Sequence, residues 1–83
     1  MEIININSDI FYLNGGLLSR DDGPAIEYSS GDKYWFSNGK IHREEGPAFI
    51  SRSGTKEYWL FNKMAQGDEI KNIKRNKLLN ELN

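Results

Sequence analysis

An internal repeat constrains the fold of this chain more than any other feature of its sequence. The segment 20–25 reads RDDGPA and returns as REEGPA at 43–48, so that Arg20 corresponds to Arg43. The similarity continues to the Tyr-Trp pairs at 34–35 and 58–59, where the offset between the copies has grown by one position. A repeat of this length is typical of stacked copies of one small supersecondary unit.

Three asparagines set the register that we predict for these copies. Asn14, Asn38 and Asn62 stand at equal intervals, and each follows an aromatic or apolar triplet. The spacing predicts two full units and the opening of a third, with one residue inserted along the way. Residues that recur in every unit are expected to serve folding and stacking, so function is sought where the units differ.

Turn-forming residues divide each unit into short strands. Asn38-Gly39 suits the positive φ angles of a tight hairpin, Asn14-Gly15-Gly16 reads as a looser turn with one extra residue, and Asn62-Lys63 has lost the glycine. The prolines at 24 and 47 lack an N–H and favour turns or strand starts. The pattern predicts a mainly β fold, an antiparallel meander of hairpin repeats. Strands are predicted at 3–6, 10–13, 17–19, 25–29, 33–37, 40–42, 48–51 and 56–61.

The last segment changes to a helical period. Asp68 suits a helix N-cap, and Ile70, Ile73 and Leu82 fall near one apolar stripe. We predict a C-terminal α-helix over 68–82 that covers the open end of the sheet, because terminal repeats usually need a cap. This helix also carries the one basic cluster, which is interpreted either as a solvated face or as a contact with phosphates. Its members are Lys71, Lys74, Arg75 and Lys77.

Composition predicts one small soluble domain over residues 1–83, with hairpin repeats at 11–67. The chain is 37% hydrophobic and 28% charged, and its net charge is −1. This balance argues against a whole-surface attraction to nucleic acid or to an anionic membrane. The sequence has no cysteine and no apolar run of the roughly 18 residues that a membrane helix needs. We therefore expect a cytoplasmic protein with no membrane partner.

Residue types that carry catalysis or bind metals are sparse. His42 is the only histidine and serine holds the aligned place in the first copy, so a His-rich metal site cannot form and a hairpin role is favoured over a catalytic one. The acidic pairs at 21–22 and 44–45 lack the spacing of a calcium loop, and adjacent residues of an extended chain point to opposite faces. Ion pairing with Arg20 and Arg43 explains them more simply. We expect no enzyme, no metal and no cofactor.

Aromatic residues alternate along the predicted strands. Trp35 and Trp59 are expected in the core, because the chain has few other large apolar groups. Tyr12, Tyr28 and Tyr58 are expected on an exposed face, where aromatic side chains serve as interface anchors.

The second unit, which reads WFSNGKIHREEGPA over 35–48, resembles the short repeats of a protein family found in bacteriophages and some bacteria. Those repeats read like NGKxHREDGPA and look like distant relatives of MORN repeats, β-hairpins of roughly 23 residues. The likeness covers 11–63, with departures at Phe11, Gly15-Gly16, Ser19 and Lys63. MORN-like repeats are generally interaction platforms, and some bacterial relatives are antitoxins. The resemblance therefore implies protein binding, and it carries over no catalytic residue.

These observations favour a small phage-type protein in the host cytoplasm that binds a host protein and inhibits it by occlusion. A defence nuclease, a toxin or a polymerase component would fit, since a target that itself binds nucleic acid presents a basic surface. Exposed aromatics and acidic residues are expected to contact it. The contact residues are predicted to be Tyr12, Asp21, Asp22, Tyr28, Glu44, Glu45 and Tyr58.

Two other classes remain open on sequence grounds. One is a nucleic-acid-binding protein that uses the basic cluster of the predicted helix. The other is a self-assembling structural component that is joined through its incomplete third unit. The sequence leaves monomer and homodimer both open, and an exposed sheet edge beside Asn62-Lys63 would be a template for dimerisation.

Overall fold

A computed structural model describes residues 1–65 of the 83-residue chain. These residues form eleven β-strands and no helix, so the mainly β prediction is confirmed for this region. No helix that could cross a membrane occurs among residues 1–65. The predicted helix over 68–82 and its basic cluster lie outside the described residues. The strands are β1 Glu2–Ile6, β2 Asp9–Asn14, β3 Leu17–Leu18, β4 Ile26–Glu27, β5 Lys33–Tyr34, β6 Phe36–Ser37, β7 Lys40–Ile41, β8 Phe49–Ile50, β9 Lys56–Glu57, β10 Trp59–Leu60 and β11 Lys63–Met64.

The strands form one antiparallel sheet from which a row of hairpins projects. The main path of the sheet runs β1-β2-β4-β5-β8-β9, and β3 pairs β2 beside it. The hairpins β6-β7 and β10-β11 are two-stranded ladders separate from the main sheet. The predicted continuous meander is therefore wrong in one respect, because the hairpin strands branch from the main path instead of lying within it.

Trp35 marks the point where a predicted single strand divides in two. The interpretation of 33–37 as one strand is corrected to β5 and β6, and 56–61 divides in the same way into β9 and β10. At the break, the Trp35 N–H donates to the carbonyl of Ala48 in the main sheet, while its own carbonyl accepts from the His42 N–H in the hairpin. One continuous stretch of chain therefore supplies β5, which pairs with β8 in the main sheet, and β6, which pairs with β7 in the hairpin.

Backbone hydrogen bonds repeat throughout residues 9–65 with the offset that separates Arg20 from Arg43, so the predicted insertion does not exist. The carbonyls of Tyr12, Trp35 and Tyr58 accept equivalent bonds, from Ser19, His42 and Ala65. Trp35 therefore corresponds to Tyr58 and not to Trp59, and the matching Tyr-Trp letters are one position out of register. Unit 1 spans 9–31, unit 2 spans 32–54, and the third begins at Thr55.

The corrected register also moves the hairpin turns. Both turn residues have positive φ in each hairpin: 60° and 82° at Gly15-Gly16, 49° and 82° at Asn38-Gly39, and 46° and 68° at Phe61-Asn62. This is the two-residue turn whose twist matches that of the flanking strands. Asn14 is the last residue of β2, so the looser three-residue turn predicted there is wrong.

The buried core is small and falls on the recurring GPA motif. Ala25 and Ala48 are fully buried, Ile26 is nearly so, and Ser19 is the buried polar residue. The N–H of Ala25 donates to Tyr34 and that of Ala48 to Glu57, each at 2.8 Å. Trp35 and Trp59 are only half-buried, so their predicted core position is wrong. A sheet with no second layer in the described region has no interior deep enough for a tryptophan.

Hydrogen bonds also join one hairpin to the next. The Gly39 N–H donates to the Leu18 carbonyl at 2.7 Å, and the equivalent Asn62 N–H donates to Ile41 at 2.9 Å. The Arg20 N–H donates to Phe36 at 3.2 Å, which brings the loop after β3 against the following hairpin. This stacking places the acidic loops of consecutive units side by side.

Candidate binding cleft

Arg20 is stacked on an aromatic ring and held there by its own loop. Its guanidinium carbon lies 3.9 Å from the centroid of the Tyr12 ring, and Nη1 donates to the Pro24 carbonyl at 3.1 Å. A cation over an aromatic face is attracted by the negative face of the ring. Gly23 permits this fold of the loop, since a Cβ at that position would lie 2.9 Å from the guanidinium carbon.

Unit 2 repeats this arrangement with Arg43. Its guanidinium carbon lies 4.1 Å from the Trp35 ring centroid, and Nη1 donates to the Pro47 carbonyl at 3.1 Å. A Cβ at Gly46 would lie 3.2 Å from the same nitrogen. The recurrence of arginine, glycine and proline in the motif therefore has a structural cause: each arginine ties the loop to an aromatic residue of its own unit.

The acidic pairs lie on the exposed side of these loops. Arg20 Nε and Asp22 Oδ1 are 3.1 Å apart, which confirms the expected ion pair in unit 1. In unit 2 the His42 Nε2 lies 3.6 Å from Glu44 Oε1. Asp21, Asp22, Glu44 and Glu45 are all exposed, so both units present negative charge to solvent at equivalent places.

A cleft of about 540 Å³ opens between the two acidic loops. One wall is the loop of unit 1 and the other is the loop of unit 2, while Trp35 and the strand β6 lie between them. Its lining combines four carboxylates with an indole and a phenyl ring. The residues that line it are Arg20, Asp21, Asp22, Gly23, Pro24, Trp35, Phe36, Ser37, His42, Arg43, Glu44 and Glu45.

His42 joins unit 2 to the third unit. Its Nδ1 accepts a hydrogen bond from the Phe61 N–H at 3.2 Å, and its ring stacks on that of Phe61 with centroids 3.8 Å apart. Ser19 holds the equivalent place in unit 1, where Oγ accepts from the Asn38 N–H at 3.2 Å. The sequence interpretation of His42 as a residue that bonds its neighbours is confirmed.

The three tyrosines predicted as exposed contacts are all half-buried. Tyr12 is covered by Arg20, and its hydroxyl donates to Glu27 Oε2 at 3.5 Å. Tyr28 packs edge-on against Phe11 and against Tyr34, at centroid distances of 6.0 and 5.8 Å. Tyr58 is also half-buried. The expectation of a fully exposed aromatic face is therefore wrong, and only the acidic members of the predicted contact set reach the cleft.

Tyr34 lies in the aromatic row that follows the sheet. It faces Phe49 across the strands with ring centroids 4.6 Å apart, in a row that continues through Ile26 to Phe11. Burial, followed by the nearby charges of Tyr28, Asp32 and Glu57, raises the pKa of Tyr34 above its ordinary value of 10.0.

The described residues contain no cluster of three or more His, Asp or Glu side chains able to hold a metal ion. Comparison with protein-family models, curated proteins and solved structures returns no match to this chain. The geometry of its own residues is therefore the basis for assigning a function.

Trp35, Phe36 and Arg43 are among the cleft residues that the sequence interpretation did not assign to a binding site. An arginine follows an aromatic residue at the same spacing in both units, at 12 and 20 and again at 35 and 43. That recurring pair is the available signal for the stack. The sequence alignment that is shifted by one position conceals this recurring pair, because it aligns Trp35 with Trp59 and assigns both residues to the core.

Proposed function

We propose that this chain is a non-enzymatic protein-binding module that receives a basic segment of its partner in the cleft between consecutive acidic loops. The observation that supports this is the lining of the cleft, in which four carboxylates stand against the guanidinium groups of Arg20 and Arg43, beside the half-buried Trp35. The four carboxylates belong to Asp21, Asp22, Glu44 and Glu45. Carboxylates attract lysine and arginine side chains, and an aromatic face adds favourable contact with a cation or an aliphatic stem.

The predicted partner is a protein that itself binds nucleic acid. Such a target presents a basic surface, and covering that surface would block it by occlusion. This fits a phage-type, MORN-like repeat protein that inhibits a host defence nuclease, a toxin or a polymerase component. Within residues 1–65, seven Lys and Arg stand against nine Asp and Glu, and this negative balance disfavours direct phosphate contact by the repeat region.

A tagged pull-down from bacterial lysate, with and without nuclease treatment, tests the class of partner. Recovery of one stoichiometric basic protein that survives nuclease is expected. A set of nucleoproteins that disappears after nuclease would instead support direct binding of nucleic acid and contradict the proposal.

Charge-neutral variants then test the cleft itself. The double variant D21N/E44Q removes one exposed carboxylate from each wall and keeps the shape of both side chains. Since Asp22 pairs with Arg20, it is left intact so that the loop keeps its fold. Affinity for the captured partner is expected to fall by about tenfold, or about 1.4 kcal/mol.

The matched control is Glu2→Gln, which neutralises an exposed acid in β1, outside the lining of the cleft. It should leave the affinity within about twofold, a difference of about 0.4 kcal/mol. Equal losses in the control and in the double variant would show a general charge effect and overturn the assignment of the cleft.

A further inference from the structure

The two ends of the main sheet differ in how their edges are protected. β9 is two residues long and reads Lys56-Glu57, and short charged strands are a usual defence against unwanted strand pairing. β1 is five residues long and reads EIINI. It has no lysine, proline or bulge, and its partners in the described residues lie on one side alone.

The side chains of β1 are exposed on both faces of the sheet. Ile3 is 58%, Ile4 42% and Ile6 53% exposed. The strand is nevertheless held flat and extended, because all five of its residues pair with β2, from Glu2 with Leu13 to Ile6 with Asp9. An ordered, apolar strand with one open edge is a template for a further strand.

We propose that β1 pairs antiparallel with β1 of a second copy of this chain, about a two-fold axis that passes midway between the Ile4 residues of the two copies. Two-fold pairing of identical strands is self-complementary, so each residue and its partner exchange roles. The register centred on Ile4 uses the full length of the strand and places Ile4 opposite Ile4, Ile3 opposite Asn5, and Glu2 opposite Ile6.

Charge and packing both favour a second copy of the chain as the partner of β1. Glu2, the single charged residue of β1, lies away from its own copy in this register, so no like charges meet. Ile4 is the cross-strand neighbour of Phe11, which begins the aromatic row through Ile26, Tyr34 and Phe49. Pairing at Ile4 would join the apolar rows of the two copies into one continuous row across the interface.

The mass of the full chain in solution is the first test. Sedimentation equilibrium from about 1 to about 300 µM should show a shift from 9.6 kDa towards twice that value, since an interface below about 1,200 Å² is expected to be weak. A mass that stays at 9.6 kDa across this range would overturn the proposal. So would a monomer in which the amides of Ile3 and Asn5 resist hydrogen exchange, because these amides point away from β2 and the chain's own residues would then cover the edge.

Charged substitutions at Ile4, where the two copies face each other, test the pairing more directly. Ile4→Lys and Ile4→Glu each place two like charges opposite one another, and each variant alone is expected to be monomeric with unchanged circular dichroism. An equimolar mixture should restore the dimer as a Lys-Glu heterodimer. Failure of the mixture to associate, or undiminished dimerisation of either variant alone, would contradict pairing at Ile4.

Cysteine cross-linking tests the register, and the chain has no cysteine of its own to interfere. Ile4→Cys should form a disulfide dimer under mild oxidation, since directly opposed residues lie within the Cα distance that a disulfide spans. Asn5→Cys is the matched control one position away, and Lys56→Cys is the control at the opposite edge. Cross-linking of either control as fast as Ile4→Cys would contradict this register.

Discussion

The imidazole of His42 accepts a hydrogen bond from the backbone of Phe61 and stacks on the ring of the same residue. Phe61 has a φ of 46°, a left-handed conformation that a bulky side chain rarely adopts. The stack therefore accompanies local backbone strain, at the junction between unit 2 and the incomplete third unit.

Replacing Phe61 by asparagine, the residue at the equivalent place in the preceding hairpin, is expected to stabilise the protein. Asn62 is kept because its Oδ1 accepts a hydrogen bond from the Ile41 N–H at 2.9 Å. A left-handed conformation costs a bulky L-residue about 1–2 kcal/mol, whereas an aromatic pair contributes about 0.5–1.5 kcal/mol. Because Phe61 is 59% exposed, its stack should lie at the lower end of that range. We expect the variant F61N to raise the free energy of unfolding by about 1 kcal/mol in urea titrations followed by tryptophan fluorescence.

The reverse exchange in unit 2 is the matched control for that experiment. Asn38→Phe creates the same conformational strain opposite Ser19, which offers no ring to stack on. It should lower the free energy of unfolding by about 1–2 kcal/mol. A destabilised F61N would show that the stack on His42 outweighs the strain.

His42 is expected to be replaceable by serine but less well by alanine. Alanine leaves the Phe61 N–H without its acceptor, and we expect the free energy of unfolding to fall by about 1 kcal/mol. Serine offers the kind of acceptor that Ser19 supplies in unit 1, so His42→Ser should recover about half of that loss. Equal losses in the two variants, measured by thermal unfolding, would assign the effect to the ring alone.

Arg43 is expected to require its planar guanidinium and not only its charge. Lysine keeps the charge but cannot both lie flat on Trp35 and donate to the Pro47 carbonyl in the same geometry. Arg43→Lys should lower the free energy of unfolding by about 1 kcal/mol and Arg43→Ala by about 2 kcal/mol. The exposed Arg52 is the control, and Arg52→Ala should change it by under about 0.5 kcal/mol. A lysine variant as stable as the parent would contradict the stacking argument.

Stability should fall at high pH because of Tyr34. Its pKa is raised in the folded state, so above pH 10 the unfolded chain releases this proton first and binds fewer protons than the folded chain. The free energy of unfolding is then expected to decrease as pH rises through 10 towards the folded-state pKa. Tyr34→Phe removes this contribution, and a decrease of the same size in that variant would assign the effect to other groups.

Most strands were predictable from the sequence because turn residues recur in each unit. The register was not, since Tyr-Trp at 34–35 and at 58–59 offers the same two letters one position apart. In a strand, a shift of one residue reverses every side chain. The correct alignment has no gap and pairs Trp35 with Tyr58, as the hydrogen bonds at their carbonyls and the positive φ angles of the hairpin turns show.

The acidic residues of the candidate site were predictable from the sequence, and its aromatic residues Trp35 and Phe36 were not. Duplicated acids beside a glycine mark an exposed loop in any register, so Asp21 and Glu44 could be identified as contact residues. The position of Trp35 depends on the register and on the absence of a second layer over the sheet in the described residues. Hydrophobicity alone assigns such a residue to a core, whereas here a guanidinium covers part of its ring.

The hydrogen bonds between consecutive hairpins recur at a constant spacing, and each one binds a unit to its immediate neighbour. A further whole unit placed between 31 and 32 would therefore meet the same partners on both sides. It would also add one more acidic cleft in line with the first. Duplication of one repeat unit can thus change the number of clefts while every existing contact is kept. Affinity for a partner with several basic segments would then increase through avidity.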